Sequence, residues 1–215
     1  MTQVFFHISC RSSLLINIRC YLFLLLVCVT GCTAFRQPTT LRLNDSQIRQ
    51  DTVWSGVVLI EGTVEVLRSA TLTIVPGTEI RCVLVDADGD LLGHRSLSIK
   101  GALKAEGTRL QPIVFRSAED NPRPGDWNEI RADFARQLTL KYCEIRDSVG
   151  GLHAHYSRGV MENCHLHQNI DGSRFGEVSF SIRHCLVERN ENKGILTRQS
   201  KIQFEKDFVR QNGAG

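Results

Sequence analysis

The sequence predicts an all-β fold, a parallel β-helix in which each coil of the chain stacks on the coil before it. The first observation is a repeat in residues 138–215. One column of this repeat holds Cys143, Cys164 and Cys185 and continues at Asp207, with steps of 21, 21 and 22 residues. A fixed period of this size is typical of a solenoid, because one coil alone cannot bury its apolar side.

The second observation is the alternation of side chains inside each repeat. Apolar residues recur two positions apart, as at Cys164 and Leu166, which is the period of a β-strand. Asparagine and glycine occupy the intervening positions and are typical of turns. Three further columns keep the same spacing: Leu140, Met161, Ile182 and Phe204; Ile145, Leu166, Val187 and Val209; and Ser148, Asn169, Asn190 and Asn212. With strands about 4.8 Å apart, we expect the asparagines to hydrogen-bond along their column.

The repeat in residues 161–172 resembles the coils of right-handed parallel β-helix repeat proteins, which belong to the pectate-lyase-like superfamily. Residues 70–78 resemble an opening coil of the bacterial surface members, and so do residues 112–115 with residues 124–127. The resemblance implies a single-stranded, right-handed solenoid, which is the hand that parallel crossovers usually take. It implies little about activity, because this fold hosts lyases, hydrolases, adhesins and proteins without known chemistry.

Length and charge limit the number of domains and the kinds of partner that are expected. A chain of 215 residues is by default one folded domain. It has 26 basic and 23 acidic side chains, a net charge of +3 and no basic run. This balance argues against nucleic acid as a partner.

Residues 1–31 are predicted to be the signal peptide of a bacterial lipoprotein. Two arginines precede an apolar run at residues 21–29, which is too short to span a bilayer as a mature helix. The run ends in residues 29–32, which resemble a lipobox, and this resemblance implies a lipid such as palmitate on Cys32. The alternatives are ordinary signal cleavage and an uncleaved anchor. The expected location is the bacterial cell envelope, with the lipid anchor in the outer membrane.

Residues 32–51 are predicted to be the lipidated N-terminus and a polar tether, and residues 52–215 the β-helix domain. The early strands are expected at residues 57–60, 64–66, 72–74, 80–85, 97–99, 103–105 and 113–115. The first coil of a solenoid needs a cover over its open end, and residues 40–56, with Trp54, are the candidates for this cap.

Four cysteines remain after lipidation and signal removal: Cys82, Cys143, Cys164 and Cys185. An even number in an oxidising compartment invites disulfides. Three of them stand in one inward column, however, where stacked side chains have nearly parallel Cβ vectors and therefore poor disulfide geometry. We expect reduced thiols that pack as small apolar residues.

Asp86, Asp88 and Asp90 form the sharpest local motif, with three carboxylates at alternate positions around Gly89. Oxygen ligands of this kind suit Ca²⁺, which would bind here as a structural ion. The motif lacks the long loop and the terminal glutamate of an EF-hand. The alternative interpretation is a solvated acidic turn.

A candidate ligand-binding set combines Trp127, His153, His155, Arg174 and Arg198. Trp127 follows an inserted loop at residues 117–126, and its ring can either stack on a sugar or close the loop onto the coil. The arginines, together with Arg158, form a predicted cationic stripe near the two histidines. Guanidinium groups pair with carboxylates as a fork, so such a stripe suits an acidic polysaccharide. The alternative is scattered solubilising charge.

Two His-X-His pairs, His153 with His155 and His165 with His167, each place two imidazoles on one face of a strand. They suggest a further function class, a periplasmic β-helix that handles transition metals. We expect no carboxylate to join either pair, so solvated surface histidines are the preferred interpretation.

The predicted function is binding or scaffolding by an envelope-anchored β-helix, with glycans as candidate ligands and without catalysis. The alternative is a carbohydrate-active enzyme of the polysaccharide lyase or glycosidase kind, or part of one. A glycosidase needs two acids across the scissile bond. The outward columns through His165 and His167 hold one acid each, Glu144 and Glu188, and no catalytic residue is assigned.

The last coil carries a prediction about association. The coil that includes Phe204, Phe208 and Val209 is not closed before Gly215. An uncovered end exposes unpaired strand groups and apolar side chains. We therefore expect a chain that is truncated at this end or that self-associates end to end.

Overall fold

The structure is a computed structural model that describes residues 40–213 as three parallel sheets wound into a solenoid. Sheet A contains β1 (Leu41–Leu43), β4 (Val57–Ile60), β7 (Glu79–Cys82), β10 (Ile113–Ser117), β13 (Cys143–Arg146), β16 (His165–His167), β19 (Leu186–Glu188) and β22 (Phe208–Arg210). Sheet B contains β2 (Ser46–Ile48), β5 (Val64–Val66), β8 (Leu97–Ile99), β11 (Ile130–Asp133), β14 (Leu152–His155), β17 (Ser173–Gly176) and β20 (Ile195–Arg198). Sheet C contains β3 (Thr52–Trp54), β6 (Thr71–Ile74), β9 (Ala102–Glu106), β12 (Gln137–Lys141), β15 (Arg158–Glu162), β18 (Ser179–Arg183) and β21 (Lys201–Glu205). Within residues 40–213 no segment is helical.

Each coil contributes one strand to each sheet, and every strand pairs in parallel with the equivalent strand of the next coil. Met161 on β15, for example, lies between Leu140 on β12 and Ile182 on β18. The other columns of the repeat align in the same way. The predicted right-handed parallel β-helix is therefore confirmed.

The core is the space enclosed by the inward side chains of the three sheets. Burial alternates along each strand, as in β4, where Val58 and Ile60 are fully buried and their neighbours are not. Burying one such side chain stabilises the fold by about 1.5–3 kcal/mol. Because the alternation has the period of a strand, the opposite face of each strand is directed outward.

The predicted asparagine column forms a hydrogen-bonded ladder at the corner between sheet A and sheet B. The Asn169 side chain donates from Nδ2 to Asn190 Oδ1 at 3.0 Å and to the Ile145 carbonyl at 3.1 Å. Its Oδ1 accepts from Ser148 N at 3.0 Å. Asn190 repeats the pattern with Asn212 one coil further on. The expectation of stacked, mutually bonded amides is confirmed.

From Phe134 onward, the corners of the coils are each turned by one residue with a left-handed backbone. These residues form three columns: Tyr142, Asn163, His184 and Lys206; Asp147, Gln168, Arg189 and Gln211; and Phe134, Tyr156, Glu177 and Gln199, with φ between 47° and 65°. The residue after each corner enters the core, as Cys164 does after Asn163. The three corners per coil explain why the chain turns without long loops.

The solenoid begins earlier than the sequence predicted. β1 pairs with β4 and β2 pairs with β5, so the part of the predicted tether at residues 41–48 belongs to the first coil. The sequence concealed this coil because only Leu43 and Ile48 of its first two strands pack against the core. Residues 40–56 thus cover the second coil as expected of a cap, with Trp54 buried against the interior.

The cysteines pack as core residues, which confirms the structural interpretation. Cys82, Cys143, Cys164 and Cys185 are all free and no more than 2% exposed. Burial raises the pKa of the Cys82 and Cys164 thiols. The hydrogen bond with Cys164, together with burial, raises the pKa of Cys185. Each thiol of the column also lies within hydrogen-bonding distance of backbone carbonyl groups.

Two surface loops interrupt the regular coils, at residues 83–96 and 118–129. They contact each other, since Gly93 N donates to the Gly125 carbonyl at 2.7 Å. At the far end of the solenoid, Phe204, Phe208 and Val209 are 52%, 65% and 52% exposed. Among the residues described, none lies in a helix of the length and apolar character needed to cross a membrane. The predicted signal peptide and Cys32 lie outside the described residues.

Candidate functional site

A groove of about 480 Å³ lies on the outer face of sheet B, across β14, β17 and β20. Its lining includes four members of the predicted ligand-binding set: His153, His155, Arg174 and Arg198. The structure adds Lys193 and Asp171 from the segments that precede these strands. The repeat therefore brings together, from three successive coils, side chains that are far apart in the sequence.

Parallel register explains this convergence. His153 pairs with Arg174, and Arg174 pairs with Leu196, so these residues form one outward column. His155 pairs with Gly176, and Gly176 pairs with Arg198, which gives a second column beside the first. Successive coils are about 4.8 Å apart, so each column presents one side chain per step along the solenoid.

The basic side chains of the groove differ in how far they are neutralised. Arg174 Nε donates to Asp171 Oδ2 at 2.9 Å, and the Asp171 side chain is only 7% exposed. Arg198 is 81% exposed and its closest carboxylate, Glu177, is 3.8 Å away. Lys193 is exposed as well. Apart from the histidines, the lining carries three basic side chains and one acidic side chain.

His153 is held by a buried carboxylate, which the sequence analysis did not foresee. Its Nδ1 lies 3.1 and 3.2 Å from the two Glu129 carboxylate oxygens, and Glu129 also accepts from Arg131 at 3.1 Å. The His153 side chain is 13% exposed and that of Glu129 is 4% exposed. The expectations that this pair lacks a carboxylate and is solvated are wrong for His153, because Glu129 comes from the loop before β11, 24 residues earlier in the chain.

The His155 ring lies over Gly176 and fixes one wall of the groove. A Cβ atom at Gly176 would approach the His155 ring to 2.4 Å, so only glycine leaves room for the imidazole in this position. The rings of His153 and His155 meet edge to face with centroids 4.9 Å apart. His155 also meets Tyr156 edge to face at 6.2 Å.

The structure corrects the expectation for Trp127. Its side chain is fully buried, and its Nε1 donates to the Arg146 carbonyl at 2.8 Å. The ring offers no face to a sugar and closes the inserted loop onto the coil, which was the alternative interpretation. Arg158 also lies apart from the groove, because it belongs to β15 on sheet C and donates to the Arg136 carbonyl.

The second histidine pair forms a separate network on sheet A. The rings of His165 and His167 are stacked with centroids 4.0 Å apart. His167 Nε2 lies 3.2 Å from Glu144, and His165 Nε2 lies 3.4 Å from Glu188. The expectation that no carboxylate joins this pair is therefore wrong as well.

Burial and the neighbouring His167 lower the pKa of His165. The hydrogen bond from His167 lowers the pKa of Glu144. Both shifts favour a neutral His165 beside an ionised Glu144. The network thus forms a compact, partly buried cluster on sheet A, in which His167 hydrogen-bonds to Glu144, whereas the buried Nε2 of His165 makes no hydrogen bond to any described residue.

The predicted calcium ligands are close together. One ligand atom each from Asp86, Asp88, Asp90 and His94 lies within 4.8 Å of all the others. The carboxylates also serve the loop itself: Asp86 accepts from Gly89 N at 2.7 Å, and Asp90 accepts from a backbone N–H two residues on. The arrangement suits a cation, and its backbone hydrogen bonds are also those of a self-capped acidic turn.

Two groove residues, Lys193 and Asp171, and the carboxylate that holds His153, Glu129, were missed by sequence reasoning. Lys193 and Asp171 each stand directly before a glycine of the same corner, Gly194 and Gly172, and this position in the repeat could have revealed them. Glu129 left no comparable signal, because it lies in the irregular segment between β10 and β11.

A scan against protein families matches residues 113–209 to the family described as right handed beta helix region. The matched residues run from β10 into β22 and make up slightly less than half of the chain. Searches of curated proteins and of solved structures returned no match. Residues 113–209 are thus similar to right-handed β-helix proteins, and the strand ladders continue from this region back to Leu41.

Proposed function

We propose that the chain is a binding protein of the bacterial envelope that holds an acidic polysaccharide in the groove on sheet B without changing it chemically. The observation that carries this proposal is the convergence of Arg174, Lys193 and Arg198 on one groove with His153 and His155. An open groove with spare positive charge suits a ligand that is both extended and anionic.

The geometry of the charges supports a polymer over a small anion. The lining residues come from three coils, at steps of about 4.8 Å, so they address several positions along a chain. Arginine pairs with a carboxylate or sulfate through two parallel hydrogen bonds. Because Arg198 and Lys193 are exposed, salt should screen their attraction for the ligand.

Two variants test the proposal without disturbing the fold. Arg198→Ala and Lys193→Ala each remove an exposed charge, whereas Arg174→Ala would leave the buried Asp171 without its partner. We expect each variant to weaken binding of oligogalacturonate or of heparin oligosaccharides by roughly tenfold. The matched control is Arg109→Ala, which also removes an exposed charge, from the loop between β9 and β10.

Calorimetric titration at two salt concentrations measures the outcome. Binding that weakens with salt, falls in the two groove variants and is retained in Arg109→Ala supports the proposal. Equal affinities in all four proteins, or no binding of either probe by the unaltered chain, would contradict it.

We also propose that Cys32 carries a lipid that anchors the chain in the outer membrane. The support is the lipobox-like sequence at residues 29–32. Residues 33–40 lie between Cys32 and β1 in the sequence. Metabolic labelling with palmitate should be lost in Cys32→Ser, and unchanged labelling of that variant would contradict the anchor.

A carbohydrate-active enzyme is the second candidate, and one observation favours it. The contact of His153 Nδ1 with the buried Glu129 leaves Nε2 of the imidazole for proton transfer. A base next to a cationic groove suits removal of a proton from the sugar carbon that bears the substrate's carboxylate. Release of unsaturated oligosaccharides that stops in His153→Gln would support an enzyme, whereas binding without turnover favours the first proposal.

A further inference from the structure

Two aromatic rings are stacked on the surface where sheet B turns into sheet C. Phe134 and Tyr156 occupy the same corner on successive coils, with ring centroids 4.7 Å apart and planes 10° from parallel. They are 55% and 50% exposed, although neighbouring coils bury most of their large apolar side chains. Such an exposed pair commonly marks a binding surface.

The fold does not require aromatic side chains at this corner. The next two coils place Glu177 and Gln199 at the equivalent positions, with the same left-handed backbone. The left-handed backbone is thus common to this corner on successive coils, and the turn itself does not need an aromatic ring. Phe134 and Tyr156 therefore have a role other than turning the chain.

The ring pair is continuous with the cationic groove. Tyr156 directly follows His155, whose ring lines the groove and meets the tyrosine ring edge to face at 6.2 Å. Arg198 lies two coils beyond His155 in the same column. From Phe134 to the coil of Arg198 is three steps, or roughly 14 Å along the solenoid.

We infer that Phe134 and Tyr156 form a sugar-binding platform that extends the groove and selects glycans from among other polyanions. This inference rests on the proposed binding of an acidic polysaccharide. A pyranose ring has a face of C–H groups that packs on an aromatic ring, whereas its carboxylate is directed to the basic side chains. Polyanions without sugar rings can satisfy the arginines and lysine but not the platform.

The test compares a sugar polyanion with a polyanion that has no rings. Oligogalacturonate and poly-L-glutamate with a matched number of carboxylates are titrated into the full-length chain. Phe134→Ala and Tyr156→Ala should weaken oligogalacturonate binding by roughly tenfold and leave poly-L-glutamate binding unchanged. Tyr156→Phe, which keeps the ring, should bind like the unaltered chain.

Two controls separate the platform from the groove. Arg198→Ala should weaken both polyanions, and Leu110→Ala, which truncates a 92% exposed apolar residue elsewhere, should weaken neither. If the unaltered chain binds oligogalacturonate and the Phe134 and Tyr156 variants bind it equally well, the platform is refuted while the proposed function stands. If the aromatic variants weaken both probes alike, the rings act on the groove's structure and not on a sugar.

Discussion

At the scale of single residues, Asn169 shows how the fold satisfies polar groups in its interior. Its side chain is fully buried, yet its amide nitrogen has two acceptors and its amide oxygen accepts from the backbone N–H and the hydroxyl of Ser148. The groups that bond to Asn169 are also buried, so they cannot hydrogen-bond to water instead. The ladder therefore makes the sequence at this corner specific, because no other side chain reproduces both sets of bonds.

We expect Asn169→Ala to destabilise the chain by about 2–4 kcal/mol, since it leaves several buried groups without partners. Asn169→Asp keeps the size but loses both donors, so its cost should be greater at neutral pH than at acidic pH, where the carboxyl is protonated. Denaturant unfolding at both pH values measures this, with Asn121→Ala on an exposed loop as the control. Equal stability of Asn169→Ala and Asn121→Ala would disprove the role of the ladder.

The buried thiols give the chain a predictable response to alkaline pH. Burial or mutual hydrogen bonding raises the pKa of Cys82, Cys164 and Cys185 above that of an unfolded thiol, about 8.5. Above that pH the unfolded chain loses thiol protons that the folded chain keeps. The unfolded state then binds fewer protons, so stability must fall as pH rises, by up to about 1.4 kcal/mol per pH unit for each thiol.

Urea unfolding between about pH 8 and pH 10 tests this expectation. Cys164→Ala should cost about 1 kcal/mol at neutral pH through lost packing, and its stability should decline less steeply above pH 8.5 than that of the unaltered chain. Identical slopes for the two proteins would show that this thiol does not titrate on unfolding in the expected way.

At the scale of strands and loops, the segments with a regular side-chain pattern were predicted more accurately than the others. The strands at residues 57–60, 64–66 and 97–99 were predicted with their observed bounds, because strong alternation has one explanation. Residues 41–48 were misassigned, since most of their side chains are polar and face outward. Residues at equivalent positions of successive coils could be grouped from the repeat alone. Arg174 and Arg198 were grouped with the histidines in this way.

The parts of the site that escaped prediction depend on irregular segments. Glu129 reaches His153 from a loop that has no counterpart in the later coils, so no column could align it. Trp127 sits at the end of the same loop, and its burial depends on how that loop folds back. Sequence period fixes which residues stack, but it cannot describe an insertion that occurs once.

The loop at residues 83–96 carries the calcium prediction. Asp86, Asp88 and Asp90 converge with His94, and a cation bound there would stabilise the folded state by mass action, by about 2.7 kcal/mol at a hundredfold excess over Kd. We expect millimolar Ca²⁺ to raise the melting temperature, and Asp86→Asn to abolish the rise. Asp120→Asn, on the neighbouring loop, is the control. If Ca²⁺ does not change the melting temperature, the acidic turn is the correct interpretation.

At the scale of the whole molecule, the solenoid is a stack of coils in which each sheet has a first and a last strand. Within residues 40–213, the last strands of the three sheets are β20, β21 and β22, and the first are β1, β2 and β3. All strands run parallel, so one end of a copy presents the register that the other end of a second copy can continue. Such head-to-tail contacts are heterologous and do not close on themselves unless the rotation forms a ring.

We expect the 215-residue chain to associate through its last coil, where Phe204, Phe208 and Val209 expose more than half of their surface. Burying these side chains and pairing the strand edges in a second copy would stabilise the contact, and further copies could add in the same way. Val209→Lys places a charge in this surface and should reduce association, whereas Leu110→Lys, on a remote exposed loop, should not. Sedimentation over a range of concentrations should show growth beyond a dimer for the unaltered chain. A monodisperse monomer at every concentration, with slow amide exchange in β21 and β22, would show that this end needs no partner.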